Sequence, residues 1–271
     1  MILETVTQLV ESLHKPGLMG AVGMKRERVC TRELAAYFRL LATSLPIDDL
    51  ANLATQAHQP VALHTAEMKI RRTLRSLQPL LLEILSTNLL LAYKEGWNNL
   101  HIHSVDGLKE AKTKVKISGS PMDKLGPSGE SAADYAATSS GSLIKGLNKT
   151  TLDLLQEAIA TGIEDQLGVD GLGRLLRSTV MDMSVSRAKT IATTEMNDAF
   201  STAALEKMDS LGIKYKKWMP VDDPCPICSD NAEEGAIPVD DSFSSDDDAP
   251  PAHPNCRCAI VGARPPDSGG D

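Results

Sequence analysis

The sequence predicts a mainly α fold: an N-terminal helical region, then a C-terminal helical domain that ends in a small α+β segment. Three observations lead there. Apolar residues recur at helical spacing over most of the 271 residues. Aromatic residues supply only 3%, so aliphatic side chains and Ala must fill the interior. Four of the five cysteines gather with a histidine between Cys225 and Cys258, where the helical pattern gives way to alternation.

Residues 2–13 set Leu3, Val6, Leu9, Val10 and Leu13 on one stripe, and Lys15-Pro16-Gly17 ends that helix. A helix so short needs a surface to dock on. Gly17 to Gly23 reads as a flexible connector. Thr31 is placed to N-cap a helix through Tyr37, Phe38, Leu40 and Leu41, which Pro46 stops; Asp48 or Asp49 caps the next. From Val61 the pattern stays helical to Trp97, with Pro79 either kinking the helix or opening a second one. Leu80 to Tyr93, the most apolar run, is broken by Glu83, Ser86, Thr87 and Asn88, which excludes a membrane span. His101 and His103 alternate with Leu100 and Ile102, as on one side of a short strand, with no third ligand spaced to join them.

Charge is unevenly spread. Residues 1–120 carry 15 Lys and Arg against 11 Asp and Glu, a balance of +4, whereas the remainder carries 13 against 25, or -12. That polarity suits two partners of different character, DNA among them, and solvated faces account for it equally well. Arg71, Arg72 and Arg75 cluster on one helix and read first as such a face. Ser118-Gly119-Ser120-Pro121 and Gly126-Pro127-Ser128-Gly129 mark a linker. The expected organisation is therefore an N-terminal helical region at 1–118, a linker at 119–134, a second domain at 135–262 and a disordered tail at 263–271.

In the second domain Asn148 is placed to cap a helix carrying Leu152, Leu155, Ile159, Ile163 and Leu167, with Gly168 at its end. A shorter helix holds Leu172, Leu175, Leu176 and Val180. The longest stripe runs from Ser184 or Ser186 to Leu211 through Val185, Ala188, Ile191, Ala192, Met196, Ala199, Phe200, Ala203, Ala204 and Met208, with Gly212 as the stop. Glu195 breaks that face, and a buried carboxylate needs a partner. Arg187 lies two turns away, roughly 12 Å along the axis, which is too far. Arg257, a backbone N–H or a ring nitrogen of His253 is the expected partner, which makes Arg187, Glu195 and Arg257 a structural polar cluster around the metal segment. No companion nucleophile stands at a spacing that would make Glu195 a general acid or base.

Lys214 to Met219 alternates as a strand and leads into Cys225-Pro226-Ile227-Cys228; the chain returns through His253-Pro254-Asn255-Cys256-Arg257-Cys258. C-x-x-C brings two thiolates to one centre and His-x-x-Cys does the same from the other side, giving the four borderline ligands of tetrahedral zinc. Cys225, Cys228, His253 and Cys256 are the expected ligands of a closed, structural zinc site in segment 215–260, with Cys258 the alternative to Cys256. Met1-Ile2-Leu3-Glu4 opens no signal-peptide pattern, so a reducing compartment is expected and disulfides are disfavoured. Asp246-Asp247-Asp248, between the two half-sites, reads as part of a solvated flexible loop.

The stretch Arg187-Ala188-Lys189-Thr190-Ile191-Ala192-Thr193-Thr194-Glu195, then Lys217-Trp218, Cys225-Pro226-Ile227-Cys228 and Pro251-Ala252-His253-Pro254-Asn255-Cys256-Arg257-Cys258, resembles the C-terminal domain of the phage Mu F-like head morphogenesis family. The usual helix motif of that family has Arg before Thr-Glu; Thr193 takes that place here. The resemblance spans about residues 135–260. It implies a non-enzymatic minor capsid protein of a tailed bacteriophage, present in several copies inside the virion at the portal vertex and in the host cytoplasm during assembly. It also implies contacts with portal protein, scaffold or major capsid protein, and packaged DNA. The competing classes are a zinc-dependent nuclease and a DNA-binding phage protein. Against an enzyme, no second histidine pair stands near the cysteines and no H-E-x-x-H helix exists.

Overall fold

The computed structural model describes residues 21–55, 60–98 and 129–263. Six helices come first or dominate: α1 Ala21–Ser44, α2 Ile47–Thr55, α3 Pro60–Asn98, α4 Gly129–Glu164, α5 Val169–Ser210 and the short α6 Pro226–Glu233. Three strands, β1 Tyr215–Met219, β2 Ala236–Pro238 and β3 Ala259–Ala263, form one antiparallel sheet in the order β2-β1-β3. The mainly α architecture with a terminal α+β segment is thus present. Among the described residues no helix is long and apolar enough to cross a membrane. The expected helix at 2–13, the histidines at 101 and 103, most of the linker and the tail from 264 lie outside the described residues.

The chain forms two compact units, each drawing on separated segments: residues 1–27, 89–134 and 193–271 in one, 28–88 and 135–192 in the other. In the second unit the core is aliphatic. Leu34, Leu41, Leu50, Ile70, Leu81, Leu85, Leu155, Leu176 and Val180 are all buried, with Phe38 set edge-on to Tyr37 at 5.4 Å between ring centroids. Pro46 ends α1, because the residue before a proline is pushed out of helical conformation. Asp48 and Asp49 follow in the first turn of α2, where the helix dipole favours negative charge. They pair with Arg177 and Lys69 at 2.7 Å each, in solvent-exposed bridges that contribute little.

Several boundaries differ from the sequence expectation for identifiable reasons. Residues 21–23, read as connector, and Thr31, read as an N-cap, are inside α1, since the spacing of Glu27, Cys30, Leu34, Phe38 and Leu41 carries the buried face upstream. Residues 129–134 of the expected linker are helical, with Ala132 buried at the first turns of α4. Asn148 is interior to that helix. Its end is made by Gln166 at φ 52° rather than by Gly168: Leu167 N–H bonds to Gly162 O and Gln166 N–H to Ile163 O, the paired closure of a Schellman end. The two helices expected at 172–180 and 184–211 are one continuous helix, α5. Gly212, at φ 67°, does stop it, with Ile213 N–H on Met208 O and Gly212 N–H on Asp209 O.

Within the other unit the backbones of α3 and α5 come close. A Cβ on Gly96 would lie 2.6 Å from the Phe200 backbone, so only glycine fits there. The C-terminal turns of α5 then pack Ala204 and Met208 against Trp218, Phe243, Ile260 and three cysteines, Cys228, Cys256 and Cys258. That cluster positions the site.

Candidate metal centre

β1 is the central strand, paired to β3 with Trp218 opposite Ile260 and Met219 opposite Ala259, which fixes where the two halves of the site leave the sheet. On alternate positions Lys216 and Trp218 point to one buried face. Cys225 then takes the N-cap position of α6 with extended backbone, φ -69° and ψ 163°, and Pro226 fills the first turn, where its missing N–H is not needed. Cys228 follows in the first turn, so one helical turn presents both thiols. The second half-site is a tight turn. Cys256 N–H bonds to His253 O at 3.1 Å, and Asn255 adopts φ 63°, a left-handed conformation that Asn tolerates better than most side chains.

These two turns meet. Cys225 Sγ lies 3.3 Å and Cys228 Sγ 3.4 Å from His253 Nε2, and Cys228 Sγ lies 3.8 Å from Cys256 Sγ. Tetrahedral zinc, with bonds of about 2.3 Å to sulfur and about 2.0 Å to nitrogen, sets sulfurs roughly 3.8 Å apart and a sulfur and nitrogen roughly 3.5 Å apart. The donors fit that geometry. His253 Nδ1–H donates to Pro254 O at 2.9 Å, which leaves the Nε2 lone pair facing the thiols. Cys258 joins the same cluster: Cys228, Cys256 and Cys258 lie within 4.8 Å of one another, as do Cys225, Cys228 and His253.

The electrostatics also call for a cation. Cys228, Cys256 and Cys258 are all but fully buried. Burial pushes the Cys228 thiol well above its ordinary range, and Cys256 is raised first by its hydrogen bond to Cys258 and then by burial. Cys258, accepting that bond, is pulled down. Without a cation the trio holds a single anionic sulfur; a divalent ion supplies the charge that lets several thiols ionise together.

Helix α5 carries the hairpin through a row of small polar groups. Thr193, Asn197 and Ser201, four residues apart, are buried beside the apolar stripe. Asn197 Nδ2 donates to the carbonyls of both Cys256 and Cys258 at 3.1 Å, and Thr194 Oγ1 accepts the Asn255 N–H at 3.0 Å. Arg257 Nη2 donates to Glu27 Oε1 at 2.6 Å and to Thr193 Oγ1 at 3.3 Å, while Thr193 donates to the same Glu27 oxygen at 2.7 Å. Between the half-sites, Phe243 is buried edge-on against Trp218 at 5.0 Å. Asn231 bonds to Ser244 and Ser245, so the segment read as a flexible acidic loop is pinned.

Of the residues expected at the site, the structure brings Cys225, Cys228, His253, Cys256 and Cys258 together. The polar cluster is different. No hydrogen bond joins Glu195 to Arg257 or His253 among the described residues, because Arg257 reaches Glu27 on α1 instead. Arg187 bonds to Thr151 Oγ1 at 3.1 Å and Leu147 O at 3.2 Å and covers the Phe38 ring. Glu195 is left with burial and the nearby Asp198 charge, which push its carboxyl up to about 7. Glu27 was missed because the connector reading placed the start of α1 too late, and Asn197 because only its i, i+4 relation to Thr193 and Ser201 marks it.

No curated protein matches the chain, and no solved structure does. Residues 141–261, which contain all five donors and most of α5, match the family described as Phage Mu protein F like protein; this stretch of the chain belongs to the phage Mu F-like family.

Proposed function

We propose that this chain is a head morphogenesis protein of a tailed bacteriophage. In this reading it is a minor capsid protein without catalytic activity, bound in several copies to portal protein inside the procapsid, where it supports head assembly and DNA packaging or ejection. Scaffold, major capsid protein and packaged DNA are its further contacts, the virion its location, and the host cytoplasm its place during assembly. The observation that carries the reading is coincidence: the family match covers the same residues as the five-donor cluster and the helix that grips it.

The ion is zinc in a structural role. Cys225, Cys228, His253 and Cys256 would hold it, and it would supply the positive charge and cross-link that fold a hairpin too small to bury much apolar surface. Ligand sets rich in Cys belong to closed sites rather than to catalytic ones. Co-expression with portal protein, elemental analysis and a nuclease assay test the reading together. Co-elution with the portal ring, one zinc per chain and intact DNA are expected. Metal-dependent DNA cleavage lost in Cys228→Ser would overturn it in favour of the nuclease. DNA affinity with a steep salt slope and no retention on portal would overturn it in favour of a DNA-binding protein.

A further inference from the structure

We propose that Cys258 is a reserve ligand of the metal centre: an ion held by Cys225, Cys228, His253 and Cys256 keeps four donors after loss of His253 or Cys256, because Cys258 takes the vacated position. This rests on the zinc reading and goes beyond it. Two sets of three donors, Cys225 with Cys228 and His253, and Cys228 with Cys256 and Cys258, each lie within 4.8 Å and share Cys228. A tetrahedral ion at Cys228 uses four of the five, so one donor is always left beside it.

The surroundings suit an exchange. Cys256 and Cys258 are two residues apart on chain running straight into β3, where alternate side chains share a face; both sulfurs face Cys228 and Arg257 leaves on the other side for Glu27. Asn197 grips both cysteine carbonyls with one amide. The backbone is therefore held at both residues, and a change of ligand asks only for side-chain rotation. Cys258 is 2% exposed, so the reserve sulfur is kept from solvent and from other thiols. Zinc imposes no preference of its own between sulfur and nitrogen at the fourth place.

The test uses the full chain with cobalt in place of zinc, since the sulfur-to-cobalt charge-transfer absorption grows with the number of thiolates. Cys258→Ser is expected to bind one ion with the wild-type spectrum. His253→Ala is expected to keep one ion with stronger charge-transfer absorption, now from four sulfurs, and Cys256→Ser to keep one ion with the wild-type thiolate count. Adding Cys258→Ser to either should abolish binding. Loss of the ion in Cys258→Ser alone, which leaves the four primary donors in place, would overturn the proposal; so would a metal-free His253→Ala or Cys256→Ser whose helical circular dichroism is intact. A metal-free wild type overturns the zinc reading itself, whereas metal-replete wild type with metal-free single variants overturns only the reserve ligand.

Discussion

The helical unit of residues 28–88 and 135–192 and the hairpin of residues 215–263 are held by different forces. The first buries whole aliphatic side chains at almost every turn, among them Leu34, Leu41, Leu50, Leu85 and Leu176. Each is worth about 1.5–3 kcal/mol, enough in sum to offset the entropy of ordering the chain. The hairpin has Trp218, Phe243 and Ile260, and three of its buried core positions are cysteines. A cysteine offers little apolar area, but three thiols and an imidazole offer an ion. One sequence thus solves the same problem by area in one place and by coordination in the other.

The largest effect should come from taking the ion away. Chelation, or Cys228→Ser, is expected to remove a contribution on the order of 10 kcal/mol to folding of the hairpin. Trp218 would lose its packing on Phe243, read as a red shift and loss of near-ultraviolet dichroism, while the far-ultraviolet helical signal persists. The converse change, Leu34→Ala in the helical core, should cost about 2–5 kcal/mol in melting of the helices with one ion still bound. If chelation melted everything together, the two regions would be one cooperative unit and the contrast would fail.

A middle-sized effect is expected where the hairpin meets α5. Asn197→Ala removes both hydrogen bonds to the cysteine carbonyls and should cost about 1–3 kcal/mol, with weaker metal retention and faster amide exchange at residues 255–258. Asn197→Asp should cost more, because a carboxylate would face two carbonyl oxygens. Equal melting and exchange in Asn197→Ala and the wild type would mean that the ion alone places the hairpin.

The same contrast explains what could be read in advance. The metal donors were legible because coordination is encoded in short spacings, C-x-x-C and His-x-x-Cys, that need no knowledge of the fold. Gly212 was legible because a helix stop is local chemistry. Glu27 and Asn197 were not: each matters through a contact distant in sequence, 230 residues from Glu27 to Arg257 and 59 from Asn197 to Cys256. Phe243 was hidden in a run of Ser and Asp, whose polarity outweighed one aromatic residue. The junction inside α5 and the role of Asn148 failed for another reason. Ser, Thr and Asn are as ready to cap a helix as to sit within one, and packing elsewhere on the helix decides.

The smallest predicted effect discriminates between the two accounts of Glu195. Had Arg257 been its partner, Glu195→Gln would break an ion pair and destabilise the chain at neutral pH. In the structure burial dominates, then Asp198, and the carboxyl is raised from 4.5 to about 7. The folded chain therefore holds that proton more tightly than the unfolded chain does. Its stabilising contribution is present below the unfolded value and is lost as pH rises through the folded one. Gln does not titrate, so Glu195→Gln should match the wild type at the acid end of that window and gain on it as pH rises, by on the order of 1 kcal/mol above pH 7. Denaturation of metal-saturated protein between about pH 6 and 8 reads the difference over the range in which the thiolate site stays loaded. A variant less stable than wild type at pH 8 would restore the ion pair and return Arg257 to Glu195.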